Sequence, residues 1–335
     1  MRVLLIAYPF EPVSPASAGG SEQILGLVDR ELTRQGHACT VLAREGSRVS
    51  GRQVCSARAN ASYAESCRSF AASLSALLAC ERFDVAHDHG AEVQHGWSAE
   101  VALLATLHRA RSLYRRDPLV SSGRCFYNLV SEHQRGQYAA PWRDHLPVVR
   151  NGIALEHFRV GAGRREFAVV VGRVCPEKGF HHAIAAAREA GIPLVVIGKV
   201  YEFDSHKQYF ATAIAPHLGT AVQWVGSPTP TAKRELLAVA RCVLIPSEVE
   251  ETSSLVAMEA AASGAPVICF RRGALPEVVE DGRTGFVVDG EQGMACAIAR
   301  CGELSPDECR RRAETRFSAR RMAREYLALY AQIAA

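Results

Sequence analysis

The segment from Glu251 to Glu259 is the part of the sequence that most strongly suggests chemistry. Seven residues separate the two glutamates, and Glu259 lies in an otherwise apolar run. A carboxylate removed from water needs hydrogen-bond partners. Hydroxyl groups of a ribose or a sugar could supply them. A neighbouring loop for Glu259 and solvent for Glu251 are equally compatible with the sequence.

The helix predicted at Leu255–Ser263 offers a place for a phosphate group. Ser253 or Ser254 can cap its start, because a serine hydroxyl accepts a backbone hydrogen bond there. Backbone N–H groups at this end have no partner within the helix, and the helix dipole adds a positive potential. We therefore expect the start of this helix to suit a phosphate group.

A second loop carries two cations. It follows the predicted strand Phe167–Gly172, and it contains Arg173 and Lys178 five residues apart. A guanidinium group binds phosphate oxygens in fork geometry, and an ammonium group acts as a point charge. Solvated loop charges would give the same pattern. Both loops follow strands of one predicted sheet, so we expect them to meet at the same edge.

A third loop contains paired glycines. Gly19 and Gly20 come after the first predicted strand and before a helix. Glycines let the backbone approach a ligand closely. Taken alone, the pair is better explained as an ordinary turn between a strand and a helix.

The elements that would position these loops follow an α/β pattern. Apolar runs of strand length alternate with helical periodicity, which predicts parallel sheets with helical crossovers. A length of 335 residues favours two domains, and the turn dipeptide Asn151-Gly152 separates the halves. We expect two doubly wound Rossmann-like domains facing a cleft. The predicted strands are Val3–Ala7, Cys39–Ala43, Phe83–Ala86, Val101–Leu107, Cys125–Val130, Phe167–Gly172, Leu194–Gly198, Gln223–Gly226, Cys242–Pro246 and Pro266–Phe270. The predicted helices run through Ile24 to Leu32, His181–Ala190, Ala232–Ala240 and Leu255–Ser263.

Composition excludes several classes of protein. The net charge of +4 is too small and too dispersed to indicate a nucleic-acid partner. The 11 cysteines form no Cys-x-x-Cys pair, so we expect reduced thiols and a cytoplasmic protein. No run of about 20 apolar residues is present, which argues against a membrane span. The basic residues Arg109, Arg111, Arg115 and Arg116 could contact an anionic acceptor or the inner membrane face, although a solvated loop is the preferred interpretation.

A metal site is not expected. His87 and His89 flank Asp88, but we expect the two imidazoles to point to opposite faces of a strand, which would prevent them from sharing an ion. No further motif with metal-ligand spacing accompanies them. A pairing of Glu251 with Glu259, as in retaining glycosidases, is also not expected. That chemistry needs carboxyl groups about 5–5.5 Å apart, whereas eight helical positions span about 12 Å.

Taken together, the motifs resemble retaining family-four glycosyltransferases of the GT-B fold, the group 1 type, in a bacterial branch. The resemblance covers nearly the whole chain in the right order. The segments that carry it in the second half are Gly172-Arg173 with Lys178-Gly179, Pro246-Ser247 through Glu251, Glu259-Ala260, Gly264-Ala265-Pro266-Val267-Ile268, Gly273-Ala274-Leu275-Pro276-Glu277-Val278-Val279 and Asp281-Gly282-Arg283-Thr284-Gly285-Phe286. Those in the first half are Gly19-Gly20, Thr106-Leu107-His108, Ser131-Glu132-His133-Gln134-Arg135 and Asn151-Gly152-Ile153.

The resemblance implies a role for each matching residue. It implies a sugar donor activated by a nucleoside diphosphate, no metal or other cofactor, and an acceptor that the sequence does not name. It also implies that the last helix returns to the N-terminal domain. The acceptor-side domain would then comprise residues 1–152 and 318–335, and the donor domain residues 153–317.

The catalytic residues would be His108 at the transferred sugar, Arg173 and Lys178 at the diphosphate, and Glu251 at sugar hydroxyls. The donor would also contact Gly19, Gly20, Gly172, Val225, Gly226, Ser253, Ser254, Leu255 and Glu259.

One departure from the family pattern concerns the sugar. The family usually has Gly-Phe-Gly after the first glutamate, whereas this chain has Thr252-Ser253-Ser254. Each serine adds a Cβ and a hydroxyl that glycine lacks. We expect activity with an altered sugar preference. Two other functions remain open: a nucleotide-sugar epimerase of the same fold, and a protein that binds a nucleotide sugar without catalysis.

Overall fold

The computed structural model describes residues 1–15, 17, 19–90, 93–114, 116–120, 123–163 and 165–334. Arg115 of the basic segment lies outside these residues. The chain forms two compact units. The first comprises Met1–Gly152 and Ala319–Ala335, and the second comprises Ile153–Ser318.

The first unit is a parallel sheet with helical crossovers. Within its described residues the strand order is β3-β2-β1-β4-β5-β6, so the chain reverses direction across the sheet between β1 and β4. The strands are β1 (Arg2–Ile6), β2 (Ala38–Ala43), β3 (Arg52–Cys55), β4 (Val85–Asp88), β5 (Leu103–Leu107) and β6 (Cys125–Leu129). The helices are α1 (Gly20–Arg34), α2 (Tyr63–Cys80), α3 (Glu132–Gly136), α4 (Trp142–His145) and, last in chain order, α12 (Ala319–Ile333). Short 3₁₀ turns span Gln94–Gly96 and Arg111–Leu113.

The second unit repeats this architecture. Its order in the described residues is β12-β11-β10-β7-β8-β9, with the reversal between β7 and β10. The strands are β7 (Ala168–Val171), β8 (Leu194–Ile197), β9 (Val222–Trp224), β10 (Cys242–Ile245), β11 (Val267–Phe270) and β12 (Gly285–Val288). The helices are α5 (Phe180–Glu189), α6 (Asp204–Tyr209), α7 (Pro230–Val239), α8 (Leu255–Ala262), α9 (Leu275–Val278), α10 (Gly290–Arg300) and α11 (Pro306–Arg316). A π-helix spans Phe210–Ile214, and 3₁₀ turns span Leu155–His157, Pro176–Lys178, Ala215–His217 and Cys301–Glu303.

The central strands form because their side chains are buried on both faces of the sheets. Val3, Leu4, Leu5 and Ile6 of β1 are fully buried, as are residues Cys242 to Leu244 of β10. Continuous apolar runs of this kind are typical of parallel strands covered by helices on each side. The prediction of two doubly wound α/β domains is therefore confirmed.

The returning helix α12 completes the core of the first unit. Tyr326 and Tyr330 on this helix are fully buried. The hydroxyl of Tyr330 lies 2.6 Å from Nδ1 of His87 on β4. The first unit therefore encloses side chains from two distant parts of the chain. None of the described helices combines the length and hydropathy needed to cross a bilayer.

The predicted elements agree with the structure except at their ends and at the periphery. Strands and helices lie within a few residues of their predicted bounds, and every cysteine is a free thiol. The strands β3 and β12 were not predicted, and no bounds were predicted for the helices α2, α3, α4, α6, α9, α10 and α11. The edge strand β3 is largely exposed, and α2 buries only Ser66 and Leu77, so neither carries a strong apolar pattern.

The loops after β7 and β10 are packed tightly against each other. Gly179, at the end of the β7 loop, has a φ of +63°. A Cβ at this position would overlap the carbonyl oxygen of Pro246 in the β10 loop. Glu248 also donates its backbone N–H to the carbonyl of Glu177, with an N···O distance of 3.0 Å. The two loops therefore hold each other in place through their backbones.

Replacement of Gly179 by alanine should destabilise the protein more than a replacement at a matched glycine. Gly191 has a φ of +66° but open space around it. Gly191→Ala should therefore lower the free energy of unfolding only by the cost of a left-handed backbone at a residue with a Cβ, about 1–2 kcal/mol. Gly179→Ala adds the overlap with Pro246, which we expect to cost about 1–3 kcal/mol more. Urea unfolding of both variants measures the difference. Equal losses would contradict the packing of the two loops.

Candidate functional site

The predicted cationic loop and the segment preceding Glu251 meet at the point where the second sheet reverses. They follow β7 and β10, the neighbouring strands between which the strand order changes. Ligands of open α/β sheets bind at such a position, beyond the carboxyl ends of the strands. Nζ of Lys178 lies 2.5 Å from Oε1 of Glu251. Ser247 donates its hydroxyl to the same oxygen, over 2.6 Å.

The carboxylate of Glu251 is partly shielded from water. Its side chain is 14% exposed, and that of Lys178 is 23% exposed. The alternative in which Glu251 is simply solvated is therefore wrong. The pair places a positive and a negative group side by side at the sheet edge, which suits a ligand that carries both phosphates and hydroxyl groups.

Glu259 has a cationic partner that the sequence analysis missed. Nζ of Lys233 on α7 lies 2.8 Å from each carboxylate oxygen of Glu259 on α8. The Glu259 side chain is only 8% exposed, so this contact neutralises a nearly buried charge. The alternative of a bond to a neighbouring loop is wrong, because the partner lies on a helix. No spacing in the sequence signals the contact, which depends on how α7 packs against α8.

The helix α8 begins as the sequence predicts. Ser254 is its N-cap, and its hydroxyl accepts a hydrogen bond from the N–H of Ala257 over 3.3 Å. Ser253 and Leu255 are half-buried on either side of the cap. The first N–H groups of a helix have no partner within it. This end of α8 can therefore donate hydrogen bonds to an anion.

Arg173 and Gly172 open the loop that follows β7. The Arg173 guanidinium is exposed and lies 3.9 Å from Glu177, so it can move towards an anionic ligand. Gly172 is half-buried, and a Cβ there would make only ordinary contacts with Phe180. Local packing therefore does not require a glycine at this position.

Val225 and Gly226 lie at the carboxyl end of β9 in the same unit. Gly226 accepts a hydrogen bond from the N–H of Gly198 over 2.7 Å, which aligns the ends of β8 and β9. Val225 is 41% exposed, as is the neighbouring Trp224 at 39%. The edge therefore presents an apolar surface that could contact a flat ring.

In the first unit, His108 belongs to a network of three imidazoles. Nδ1 of His89 lies 3.0 Å from Nε2 of His108. The rings of His87 and His89 are 4.0 Å apart. The expectation that His87 and His89 point to opposite faces was wrong, because residues two apart on a strand share a face.

Hydrogen bonds and burial keep these imidazoles neutral. Nδ1 of His87 contacts Tyr330, and Nε2 contacts Thr106 over 2.7 Å, so both of its nitrogens are engaged by hydroxyl groups. Burial holds the pKa values of His87 and His89 well below the ordinary value. Burial and the nearby Arg109 lower the pKa of His108 to about 3.

The glycine pair lies at the start of α1. Gly20 is the first helical residue and is exposed, and Gly19 is the N-cap. A Cβ on Gly19 would overlap the carboxylate of Glu22. Glu22 is 4% exposed, and burial raises its pKa. A side chain at position 19 would therefore displace the carboxylate of Glu22 from its present place.

The basic segment divides into two environments. Arg109 donates to the carbonyl of Gly90 over 3.2 Å and lies 4.7 Å over the ring of Tyr114. Arg111 and Arg116 are exposed, and Arg111 pairs with Asp117 at 3.2 Å. The preferred interpretation of a solvated loop therefore fails for Arg109, which is part of the packing.

Comparison with solved structures defines the fold. The chain is similar to AviGT4, a glycosyltransferase involved in avilamycin A biosynthesis, with a TM-score of 0.75, 23% identity and coverage of 99% of this chain and 98% of that one. It is similar to Anabaena HepE in complex with UDP-glucose, with a TM-score of 0.76, 17% identity and coverage of 99% and 100%. The chain therefore has the two-domain α/β fold called GT-B, as predicted.

Sequence comparison defines the family. Residues 155–316 match the family model described as Glycosyl transferases group 1. The second unit thus belongs to the group 1 glycosyltransferase family. The lipopolysaccharide 1,2-N-acetylglucosaminetransferase of Salmonella typhimurium LT2 is 32% identical over 124 residues, which are 34% of this chain and 32% of that protein. The chain spans between about a third and a half of the length of the curated relatives it matches first.

Acidification should destabilise the protein through its buried imidazoles. The folded-state pKa of His108 is about 3 and its ordinary value is 6.5, and His87 and His89 shift in the same direction. The unfolded chain therefore binds more protons below about pH 6.5. Stability is fully present above that pH and falls as the pH is lowered towards the folded values. Each histidine contributes up to about 1.4 kcal/mol per pH unit.

Denaturant unfolding at several pH values between about 7 and 5 measures how steeply the free energy of unfolding depends on pH. His89→Gln should reduce this slope by the amount that corresponds to about one proton. His145 is exposed, so His145→Gln is the matched control and should leave the slope unchanged. A slope that His89→Gln does not change would contradict the burial of a neutral imidazole at this position.

Proposed function

We propose that the chain is a retaining glycosyltransferase that moves a sugar from a nucleoside diphosphate donor to an acceptor hydroxyl. The reaction would serve the synthesis of a polysaccharide, a glycolipid or a natural product. The observation that carries the proposal is the convergence of Lys178, Glu251 and the start of α8 at the reversal point of the second sheet. The family of this unit and the UDP-glucose bound by HepE support the same donor class.

Each group has a chemical task in this proposal. Arg173, Lys178 and the N–H groups of Ser253, Ser254 and Leu255 would bind the diphosphate and stabilise the negative charge that develops as it leaves. Glu251 would accept hydrogen bonds from hydroxyls of the transferred sugar. These cations and N–H groups supply the charge neutralisation, so the proposed reaction needs no metal at the diphosphate.

The remaining contacts would orient the donor. Glu259, held by Lys233, would accept hydrogen bonds from the ribose hydroxyls. The exposed edge at Val225 and Gly226 would contact the nucleobase, and Gly172 would allow close approach to the phosphates. From the first unit, Gly19 and Gly20 would approach the donor, and the neutral imidazole of His108 would contact the transferred sugar.

Retention at the anomeric carbon would follow if donor departure and acceptor attack use the same face of the sugar. The bond from the anomeric carbon to the diphosphate oxygen breaks as the bond to the acceptor oxygen forms. The acceptor proton passes to the departing phosphate oxygen. No protein base is therefore required, and the transition state resembles an oxocarbenium ion.

Two other functions would leave different signatures. A nucleotide-sugar epimerase would turn over its substrate without an acceptor, and a sensor would bind the donor without turnover. The sensor is suggested by Thr252-Ser253-Ser254 in place of Gly-Phe-Gly. The retained set of Arg173, Lys178, Glu251 and Glu259 speaks against a decayed enzyme, and turnover in the presence of an acceptor separates an enzyme from a sensor.

Nucleoside diphosphates should stabilise the folded protein without added metal. A ligand at about 100 times its dissociation constant adds about 2.7 kcal/mol. Thermal unfolding with UDP, GDP, ADP, CDP and dTDP, each in the presence of a chelator, measures this effect. Clear stabilisation by one of the five would identify the nucleobase of the donor. If none of the five shifts the transition of the folded protein, the donor site is assigned wrongly.

Loss of either donor-loop cation should slow transfer, and loss of Lys178 should also lower the stability of the fold, because it leaves the largely shielded Glu251 without its cation. Arg173→Ala or Lys178→Ala should lower the transfer rate by roughly two to three orders of magnitude, because a preorganised group at a developing charge supplies several kcal/mol. Lys207 forms an exposed ion pair with Glu202 in the same unit, so Lys207→Ala is the control. Steady-state kinetics with the donor found above measures the rates, and losses below about tenfold for both variants would refute the assignment.

The serines after Glu251 should affect donor choice more than stability. Replacing Ser253 with Phe and Ser254 with Gly restores the last two residues of the usual family pattern Gly-Phe-Gly. The cap hydroxyl of Ser254 is lost, but glycine at an N-cap costs only a few tenths of a kcal/mol. We expect a changed ranking of sugar donors in a hydrolysis or transfer assay, with a melting temperature close to that of the original protein. An unchanged ranking would contradict the role of the two serines.

A further inference from the structure

Two histidines and a glutamate converge beside the donor loops but outside the proposed donor site. His181 and His182 lie in the first turn of α5, and Glu248 lies in the loop after β10. Nε2 of His182 is 2.7 Å from Oε1 of Glu248, and Nε2 of His181 is 3.6 Å from the same oxygen. The three ligand atoms lie within 4.8 Å of one another.

The other nitrogen of each imidazole is held by a separate partner. Nδ1 of His181 lies 2.8 Å from the hydroxyl of Tyr209. Nδ1 of His182 lies 2.6 Å from Oε1 of Glu291. Histidines that bind metals nearly always have their second nitrogen fixed in this way, because the contact sets the tautomer and the ring orientation. Both rings therefore present Nε2 towards Glu248.

The charges also favour a cation. Two carboxylates, those of Glu248 and Glu291, face the single ring of His182. Even a protonated His182 leaves this group with a net negative charge.

We propose that His181, His182 and Glu248 bind one Zn²⁺ ion through Nε2, Nε2 and a carboxylate oxygen. The ion takes the place of the proton between His182 and Glu248. Bonds of about 2.0–2.1 Å in a tetrahedral site set ligand atoms roughly 3.3 Å apart, a spacing that lies between the two distances to Glu248 given above. Water completes the tetrahedron, since the site is open to solvent.

A second cluster in the described residues offers a weaker set of ligands. Cys175, Glu177 and His206 also place their ligand atoms within 4.8 Å of one another. Burial raises the pKa of Cys175 to about 11, and zinc binds the thiolate rather than the thiol. Nδ1 of His206 has no hydrogen-bond partner, so no contact at that nitrogen sets the tautomer of the ring. The geometry therefore favours the site with two histidines.

The proposed ion would join the two loops that carry the donor residues. His181 and His182 follow Lys178 by three and four positions, and Glu248 precedes Glu251 by three. The ion touches none of the residues assigned to the donor. Its binding is therefore independent of the proposed glycosyltransferase activity, and each proposal can fail without the other.

Zinc titration of the full-length chain without a polyhistidine tag tests the proposal. Calorimetry should show one Zn²⁺ per chain, and the ion should raise the melting temperature. His182→Ala and Glu248→Gln should each weaken binding by more than about tenfold, and Glu291→Gln should weaken it by about 10–100-fold through the loss of the ring's second contact. His145→Ala and Cys175→Ser are the controls and should leave binding unchanged.

Cobalt provides the second readout. Co²⁺ bound to nitrogen and oxygen ligands should give visible absorption bands without a thiolate charge-transfer band in the near ultraviolet. The absence of zinc binding would overturn the proposal. Binding of undiminished strength in both His182→Ala and Glu248→Gln would do the same, and so would a thiolate band that disappears in Cys175→Ser.

Discussion

Two carboxylates in the second unit are shielded from water, and the need to neutralise their charges determines how the elements of the site are arranged. Glu251 and Glu259 are both largely shielded, and each has a lysine within hydrogen-bond distance. A buried charge without a partner is strongly unfavourable, so removal of one member of such a pair typically costs about 3–5 kcal/mol. The two ion pairs therefore act as constraints on the elements that carry them. They connect the β7 loop to the β10 loop, and α7 to α8.

These constraints also affect how a ligand would enter. Lys178 already donates a hydrogen bond to the carboxylate of Glu251 and neutralises its charge before any phosphate binds. An incoming diphosphate would have to share that ammonium group with the carboxylate, and the sugar hydroxyls would then compensate Glu251. Binding of the phosphates and binding of the sugar are thus coupled through one ion pair. A nucleoside diphosphate alone would form fewer favourable contacts than the complete donor.

The sequence predicts the central architecture well because burial on both faces leaves a strong local pattern. The apolar runs of β1, β7 and β10 mark three of the four strands that flank the two reversal points. The loops that follow β7 and β10 contain Arg173, Lys178 and Glu251. What the sequence does not reveal depends on packing between distant elements. Lys233 meets Glu259 only because α7 lies against α8, and the edge strand β3 lacks an apolar pattern because it is largely exposed. The side of β4 on which His87 and His89 lie was misjudged from an incorrect application of strand alternation, not from missing information.

The return of α12 to the first unit imposes an order on folding during synthesis. A ribosome releases residues 1–152 long before residue 319, so the sheet of the first unit emerges without Tyr326 and Tyr330. His87 then lacks the hydroxyl of Tyr330, which lies 243 positions further along the chain. The second unit, by contrast, is continuous in sequence and can close as soon as residue 318 has emerged. The domain that is made first is therefore the domain that is finished last, and the core surface that α12 covers stays exposed until then, as aggregation-prone surfaces of incomplete domains do.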